Sequence, residues 1–332
     1  MTKTSWVDDL DIRDDWGRYA MPAFRLCAYF PLTTHPYHYT VQYERLFAHY
    51  RPILEENTRI IRIFETPGTN ARRKIRIQPG DWTPFQQICK DKEPDIEAAY
   101  WFGFEFFDQE DKRRKGVGPN RFYFFVWHDR IALDACISVE AWRAGQLNID
   151  QLLGALADLP CWTALGGYGA ALADSCDNGG YSPVKEDVGV PARRYEVLDL
   201  CHVDLRKGVV VSDDPGDCGI AGINWITLVG EPYLSRVGGF SVLRKALPGA
   251  VEMTDLGWGA VLRLGPEPIA GDKETNEHTF LYHAVGKVLR PVGYPVPWAE
   301  GEMVFGDEQT SIIWQRRFYD PADAHVKKRR LP

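Results

Sequence analysis

The sequence predicts an α+β fold: mixed, largely antiparallel sheets with packed helices, built either as one continuous domain or as two similar subdomains. Three observations predict it. Apolar and aromatic runs of strand length dominate, and the two strongest, "AAYWFGFEFF" (98–107) and "RFYFFVWH" (121–128), are joined by the charged loop "DQEDKRRKGVGPN" in the manner of a hairpin. Segments with a helical period are few and scattered through both halves of the chain. Hydrophobic residues make up 45% and aromatic residues 13% of the 332, with 11 Trp, 15 Tyr and 16 Phe, which is enough for a sizeable core.

Taken in order, "AFRLCAYFPL" (23–32) reads as a buried strand. "HYTVQYERLFAHY" follows with Tyr39, Tyr43, Leu46, Phe47 and Tyr50 at helical spacing. "RIIRIF" (59–64) and "KIRIQ" (74–78) read as strands, and the clean alternation of the second predicts one solvent-facing side. "NIDQLLGALADLP" predicts a helix capped by Asn148, with Ile149, Leu152, Leu153 and Leu156 inward and Pro160 as its stop. "CWTALGGYGAAL" (161–172) is a strand whose glycines suit close backbone packing. Residues 173–189 read as an irregular boundary loop.

Beyond it, "INWITLV" (223–229) is a strand, and "EPYLSRV" one or two helical turns ended by Gly238 and Gly239. "FSVLRKAL" is a short helix before Pro248. "VEMTDLGWGAVLRLG" is a hairpin turning near Gly257, and "TFLYHAVGKVL" a helix with Leu281, Ala284, Val285 and Val288 inward. This organisation divides the chain into a polar N-terminal segment (1–22), a first α+β unit (23–175), a second (190–320) and a basic tail (321–332). No internal identity supports a duplication.

Lys and Arg total 39 against 46 Asp and Glu, a net charge of −7, and the tail "KKRR" supplies four positive charges, so the body is more acidic still. That balance argues against a nucleic-acid-binding surface and suits a basic protein partner. No basic region followed by an apolar stretch opens the sequence, and no apolar run reaches membrane-spanning length, so a cytoplasmic protein without membrane contact is expected. The seven cysteines form no CxxC pair and most lie in apolar stretches, as buried reduced thiols do.

Catalytic motifs are missing where they would be sought. "GINWITLVGEPYLSRVGG" (222–239) is a strand–turn–helix with glycines, yet it lacks both GxSxG and GxxxxGK followed by Ser or Thr. Ser235 falls inside the short helix, where its hydroxyl suits capping, so the stretch reads as a structural joint. "GGYGAAL" lacks dinucleotide spacing. His35 with His38, His128 with Asp129, and Cys201, His202 and Asp204 do not take the HExxH or CxxC form of metal sites. Adjacent carboxylates at 8–9, 14–15 and 213–214 suit solvated loops. No catalytic, cofactor-binding or metal-binding residue is therefore assigned, and no cofactor is expected.

The segment from Ala192 to Trp314 resembles the bacterial type VI secretion immunity protein family. The resemblance rests on Asn224–Thr227 ("NWIT") before a helix ended by Gly238–Gly239, a hairpin followed by Gly265, Pro266, Pro268, Gly271 and Asp272 ("GPEPIAGD"), and a helix carrying Tyr282, Val285, Leu289 and Pro291. It implies a non-enzymatic inhibitor that binds a cognate antibacterial effector encoded beside it, often a nuclease. The matching residues are glycines, prolines and core positions, so no binding residue carries over. On charge alone, Asp174, Asp177, Glu186, Asp187, Asp213, Asp214 and Asp217 are the candidate partner contacts. Two alternatives stay open: an adaptor that loads an effector onto the secretion apparatus, and a hydrolase without a recognisable motif using His128 or His202. The toxin, the mode of inhibition and the oligomeric state are not specified by the sequence.

Overall fold

Side chains of a β-strand alternate between the two faces of its sheet, and one fifteen-residue strand, Gly17–Pro31, does so at the centre of this protein. The structure is a computed structural model and describes residues 5–14, 17–31, 40–55, 60–64, 72–76, 102–107, 118, 120–127, 130–172, 184–200, 218–220, 222–293 and 308–319. In chain order the elements are α1 (Trp6–Asp9), β1 (Ile12–Asp14), β2 (Gly17–Pro31), α2 (Thr40–Glu55), β3 (Ile60–Phe64), β4 (Arg72–Arg76), β5 (Phe102–Phe107), β6 (Arg121–Trp127), β7 (Arg130–Ser138), α3 (Val139–Arg143), α4 (Ile149–Ala157) and β8 (Thr163–Leu172). They continue with α5 (Val184–Arg194), β9 (Ile226–Gly230), α6 (Tyr233–Arg236), α7 (Phe240–Ala246), β10 (Val251–Asp255), β11 (Gly259–Leu264), α8 (Phe280–Leu289), a 3-10 turn at Arg290–Val292 and α9 (Glu308–Gln315).

The strands form one sheet in the order β10-β11-β9-β8-β2-β7-β6-β5-β3-β4, with β1 also on β2. Every pairing between these described strands is antiparallel, so the α+β expectation holds. β2 lies against β7 from Ala23↔Ser138 to Pro31↔Arg130, and against β8 from Ala20↔Leu172 to Tyr29↔Thr163. The sheet runs on through β8 into β9, where Thr163 faces Val229 and Gly166 faces Ile226. Strands from residues 23–175 and from residues 190–320 therefore share one ladder.

Two apolar layers cover the sheet. On one face Phe24, Leu26, Ala28 and Phe30 of β2 meet Leu46, Phe47 and Tyr50 of α2 and Leu152 and Leu156 of α4. Phe24 stacks on Trp142 at 3.8 Å between ring centroids, and Trp225 meets both rings edge-on at 6.1 and 5.6 Å. On the other face, at the C-terminal end of the sheet, Tyr233, Leu243, Val285 and Leu289 of α6, α7 and α8 bury Val229, Leu262 and Leu264. Each layer draws on both halves of the chain: Ile226, Leu228 and Val261 lie in the first, Trp162 in the second.

Most expected elements are present, and the differences have physical reasons. Asn148 caps α4 as predicted, its Oδ1 accepting from the N–H groups of Asp150 and Gln151 at 3.1 and 3.0 Å. Gly238 and Gly239 stop α6 with φ of 89° and 84°, left-handed values that favour glycine. β2 begins at Gly17, ahead of the expected Ala23, because β1 and β8 extend the ladder. β7 carries no expected element, yet Ile131, Leu133, Ala135 and Ile137 alternate into the core. Residues 184–189, read as irregular, open α5 in spite of Gly189 and Pro191. The inward face of α8 is Tyr282, Val285, Gly286 and Leu289, while Leu281 and Val288 pack at its margin. The strand face expected at 74–78 and the side chains of Tyr39 and Tyr43 lie outside the described residues.

Candidate partner-binding surface

The motif residues in the C-terminal half fold into local locks. In "NWIT" the Asn224 N–H donates to Thr227 Oγ1 at 3.0 Å, the Thr227 hydroxyl donates back to the Asn224 carbonyl at 2.9 Å, and the Trp225 N–H donates to Asn224 Oδ1 at 2.7 Å. These bonds satisfy backbone groups at the entry to β9, where burial would make unpaired ones costly. Asn224 presses against β8: a Cβ on Gly167 would stand 2.2 Å from Asn224 Oδ1, so no side chain fits there. The Trp225 indole donates to the Gly265 carbonyl at 2.8 Å, tying the first motif to the second. Ser235 is exposed on α6, and its N–H donates to Glu231 Oε2 at 3.1 Å. The stretch is a joint, as expected.

The "GPEPIAGD" turn is clamped from two sides. Glu277 Oε2 accepts the N–H groups of Gly271 and Asp272 at 2.6 and 3.1 Å. Arg194, at the end of α5, grips Asp272 with Nε at 3.0 Å and Nη2 at 2.8 Å, the two-pronged geometry that a guanidinium offers a carboxylate. The same guanidinium reaches Asp9 at 3.2 Å, and the Tyr195 hydroxyl donates to Asp9 at 2.6 Å, so α1 is held at this rim. Glu196 next to it accepts from Thr279 Oγ1 at 2.9 Å and pairs with His283 Nε2 at 3.2 Å. Burial works to raise the Glu196 pKa, but these donors outweigh it and hold the carboxyl below its ordinary value.

A second ionic cluster lies inside the sheet. Arg25 of β2 bonds Asp134 of β7 with Nε at 2.7 Å and Nη2 at 3.0 Å. Arg121 of β6 joins the same carboxylate at 3.2 Å and donates to the Leu172 carbonyl at 2.6 Å. Asp199 approaches Arg25 at 3.6 Å. The register explains the meeting: Asp134 stands opposite Cys27 and Tyr123, one diagonal step from both arginines. All four side chains are at most 5% exposed. Burial alone would pull the Arg25 pKa down; Asp134, Cys27 and Asp199 hold it well above its ordinary value. Burial likewise pushes the Cys136 and Cys161 thiols up, which keeps them unreactive. This cluster was not anticipated, although an Arg and an Asp within otherwise apolar strands were its visible sign.

Of the candidate contacts, Asp174, Asp177, Asp213, Asp214 and Asp217 lie outside the described residues. Glu186 and Asp187 fall in the first turn of α5, and their side chains also lie outside them. His35, His38, His128 and His202 lie outside as well. Among the described residues no group of three or more His, Cys, Asp or Glu is placed to hold a metal ion, and no helix is long and apolar enough to cross a membrane.

Comparison with known proteins follows the same division. No curated protein matches the sequence. Among solved structures, the Pseudomonas aeruginosa T6SS protein PA0821 shares the fold, with a TM-score of 0.66 and 18% identity over 87% of this chain and 78% of that one. Residues 157–318 match the family TsiV, described as type VI immunity for VRR-NUC. That span, just under half of the chain, holds β8 and all three motif segments, so the likeness to this type VI immunity family lies in the C-terminal half.

Proposed function

We propose that the protein is an immunity protein that neutralises a type VI secretion effector by direct binding, and that the effector is a nuclease of the VRR-NUC class. The family match over residues 157–318 carries this reading. The motif residues form the scaffold and leave the surface to specify the partner. The acidic balance of the chain complements a nuclease, whose substrate is a polyanion and whose surface is therefore basic. The inhibitor acts in the cytoplasm, without catalysis of its own, and the acidic segments carrying Asp174, Asp177, Glu186, Asp187, Asp213, Asp214 and Asp217 contribute to the contact.

Co-expression with the VRR-NUC effector encoded beside the gene tests this. Cell survival together with co-elution of the two proteins supports neutralisation by binding. Survival without a complex, or a complex whose nuclease remains fully active, overturns it; the second result favours an effector-loading adaptor.

A further inference from the structure

Strand β10 ends the sheet, pairing with β11 and with no other strand among the described residues. Two hydrogen bonds show which way its backbone faces. The Val251 N–H donates to the Pro248 carbonyl at 3.0 Å, and the Val251 carbonyl accepts from Arg244 Nη1 at 2.8 Å. Neither bond goes to β11, so Val251 turns outward. Backbone groups alternate along an antiparallel strand, so Met253 and Asp255 also point their N–H and C=O groups away from the sheet. The Leu256 N–H, which donates to the Gly259 carbonyl at 2.9 Å, fits the same alternation on the inward side. Among the described residues, the outward main-chain groups of Met253 and Asp255 meet no partner. An open edge of this kind is a template for a further strand.

The surroundings of the edge are acidic with an apolar anchor. Glu252, Thr254 and Asp255 are exposed, and Leu256 and Trp258 at the hairpin tip are half-buried. The Trp258 indole is fixed by donation to the Ala157 carbonyl at 2.8 Å. Glu231, whose N–H donates to the Trp258 carbonyl, and Asp158, which follows Ala157, bring two more exposed carboxylates to this end. Of the basic side chains nearby, Arg263 pairs with Asp150 and Glu252 and Arg45 with Asp158, while Arg244 donates to the Val251 carbonyl and Lys245 follows it on α7. Among the described residues, the carboxylates of Glu231 and Asp255 accept only from the neutral backbone N–H groups of Ser235 and Gly257, and no ion pair offsets their charge.

We infer that β10 is a docking strand: an extended, basic segment of the nuclease effector adds to the sheet beyond Met253 and Asp255, its Lys and Arg side chains facing Glu231, Glu252 and Asp255, with Leu256 and Trp258 as the apolar anchor. The inference rests on the immunity reading above and assigns a surface to it. Main-chain pairing supplies affinity that tolerates sequence change, and the carboxylates select for a basic strand.

The test uses the full chain and the purified VRR-NUC effector encoded beside it, reading affinity and inhibition of DNA cleavage. Glu252→Lys with Thr254→Lys, at two exposed positions, is expected to weaken binding at least tenfold and restore cleavage while thermal unfolding is unchanged. Met253→Pro removes the outward N–H together with a side chain packed at the margin of the core and is expected to do the same; if it unfolds, the lysine pair decides. Glu252→Lys alone is compared with Glu140→Lys on α3, which changes net charge equally and is expected to leave binding intact. Wild-type affinity in the lysine pair, or equal weakening by Glu140→Lys, overturns the inference while leaving the immunity reading standing. A wild-type protein that fails to bind the effector overturns both. Sedimentation showing a dimer that the lysine pair dissolves would assign the edge to a second copy of the chain and overturn the inference as well.

Discussion

Two of the guanidinium–carboxylate clusters among the described residues differ in where they sit. Arg25, Arg121, Asp134 and Asp199 meet inside the sheet at no more than 5% exposure. Arg194, Asp9 and Asp272 meet at the rim, between 13% and 24% exposed. The bond lengths are alike: Asp134 is gripped at 2.7 and 3.0 Å, Asp272 at 2.8 and 3.0 Å. The teaching of the pair is that geometry alone does not set the energy. In the interior, removing one partner strands a charge that water cannot reach; at the rim, solvent and salt compensate most of the loss.

Substitution at the buried cluster therefore has the largest expected effect. Asp134→Ala takes from Arg25 and Arg121 the carboxylate they share, leaving Arg25 with Asp199 at 3.6 Å, and is expected to cost about 3–5 kcal/mol in denaturant unfolding. A loss below about 1 kcal/mol would mean that the cluster is dispensable to the sheet. At the rim, Asp272→Ala removes a two-pronged bond and is expected to cost about 1–2 kcal/mol, with a deficit that shrinks in high salt where that of Asp134→Ala does not. Equal salt sensitivity would erase the distinction between the clusters.

Acid sharpens the same contrast more gently. The folded Glu196 carboxyl is held below its ordinary value of 4.5, so unfolding takes up a proton as the pH falls. Its contribution is fully present above that value and is lost on acidification through the folded pKa. Glu196→Gln is expected to flatten the decline of stability below about pH 4.5; an unchanged slope would remove Glu196 from the rim's support. The smallest effect is expected at the fully open pair of Arg45 and Asp158, whose side chains are 59% and 68% exposed. Asp158→Ala should change stability by at most about 0.5 kcal/mol, and a larger loss would show that exposure is a poor guide to these pairs.

The clusters also mark the limit of what a one-dimensional reading reaches. Asp272 was singled out within the "GPEPIAGD" motif, but its partner Arg194 lies 78 positions away and carried no signal of its own. Asp134 and Arg25 are 109 positions apart. An Asp in the middle of "RIALDACIS" is a poor strand former, which hid β7 even though its apolar residues alternate. The candidate contacts at 174–187 and 213–217 were chosen on charge, whereas the open edge of β10 could be found only once its place at the end of the sheet was known.

Local chemistry was legible from the sequence alone wherever a few consecutive residues settle it. The Asn148 cap, the Gly238–Gly239 stop, the hairpin around Gly257 and the hairpin pairing of the two aromatic strands are of this kind, and so is the missing catalytic motif in "GINWITLVGEPYLSRVGG". Tertiary structure alone decided what depends on distant partners. It made β2 the centre of the sheet, carried the ladder from β8 into β9, and brought four buried charges together. It also turned α8 onto Tyr282 and Gly286, where a Cβ on Gly286 would stand 2.1 Å from the Phe318 carbonyl. The physical reason is one of range: caps, turns and periodicity act within a few residues, whereas ladder pairing and charge burial act between segments that only the folded chain makes neighbours.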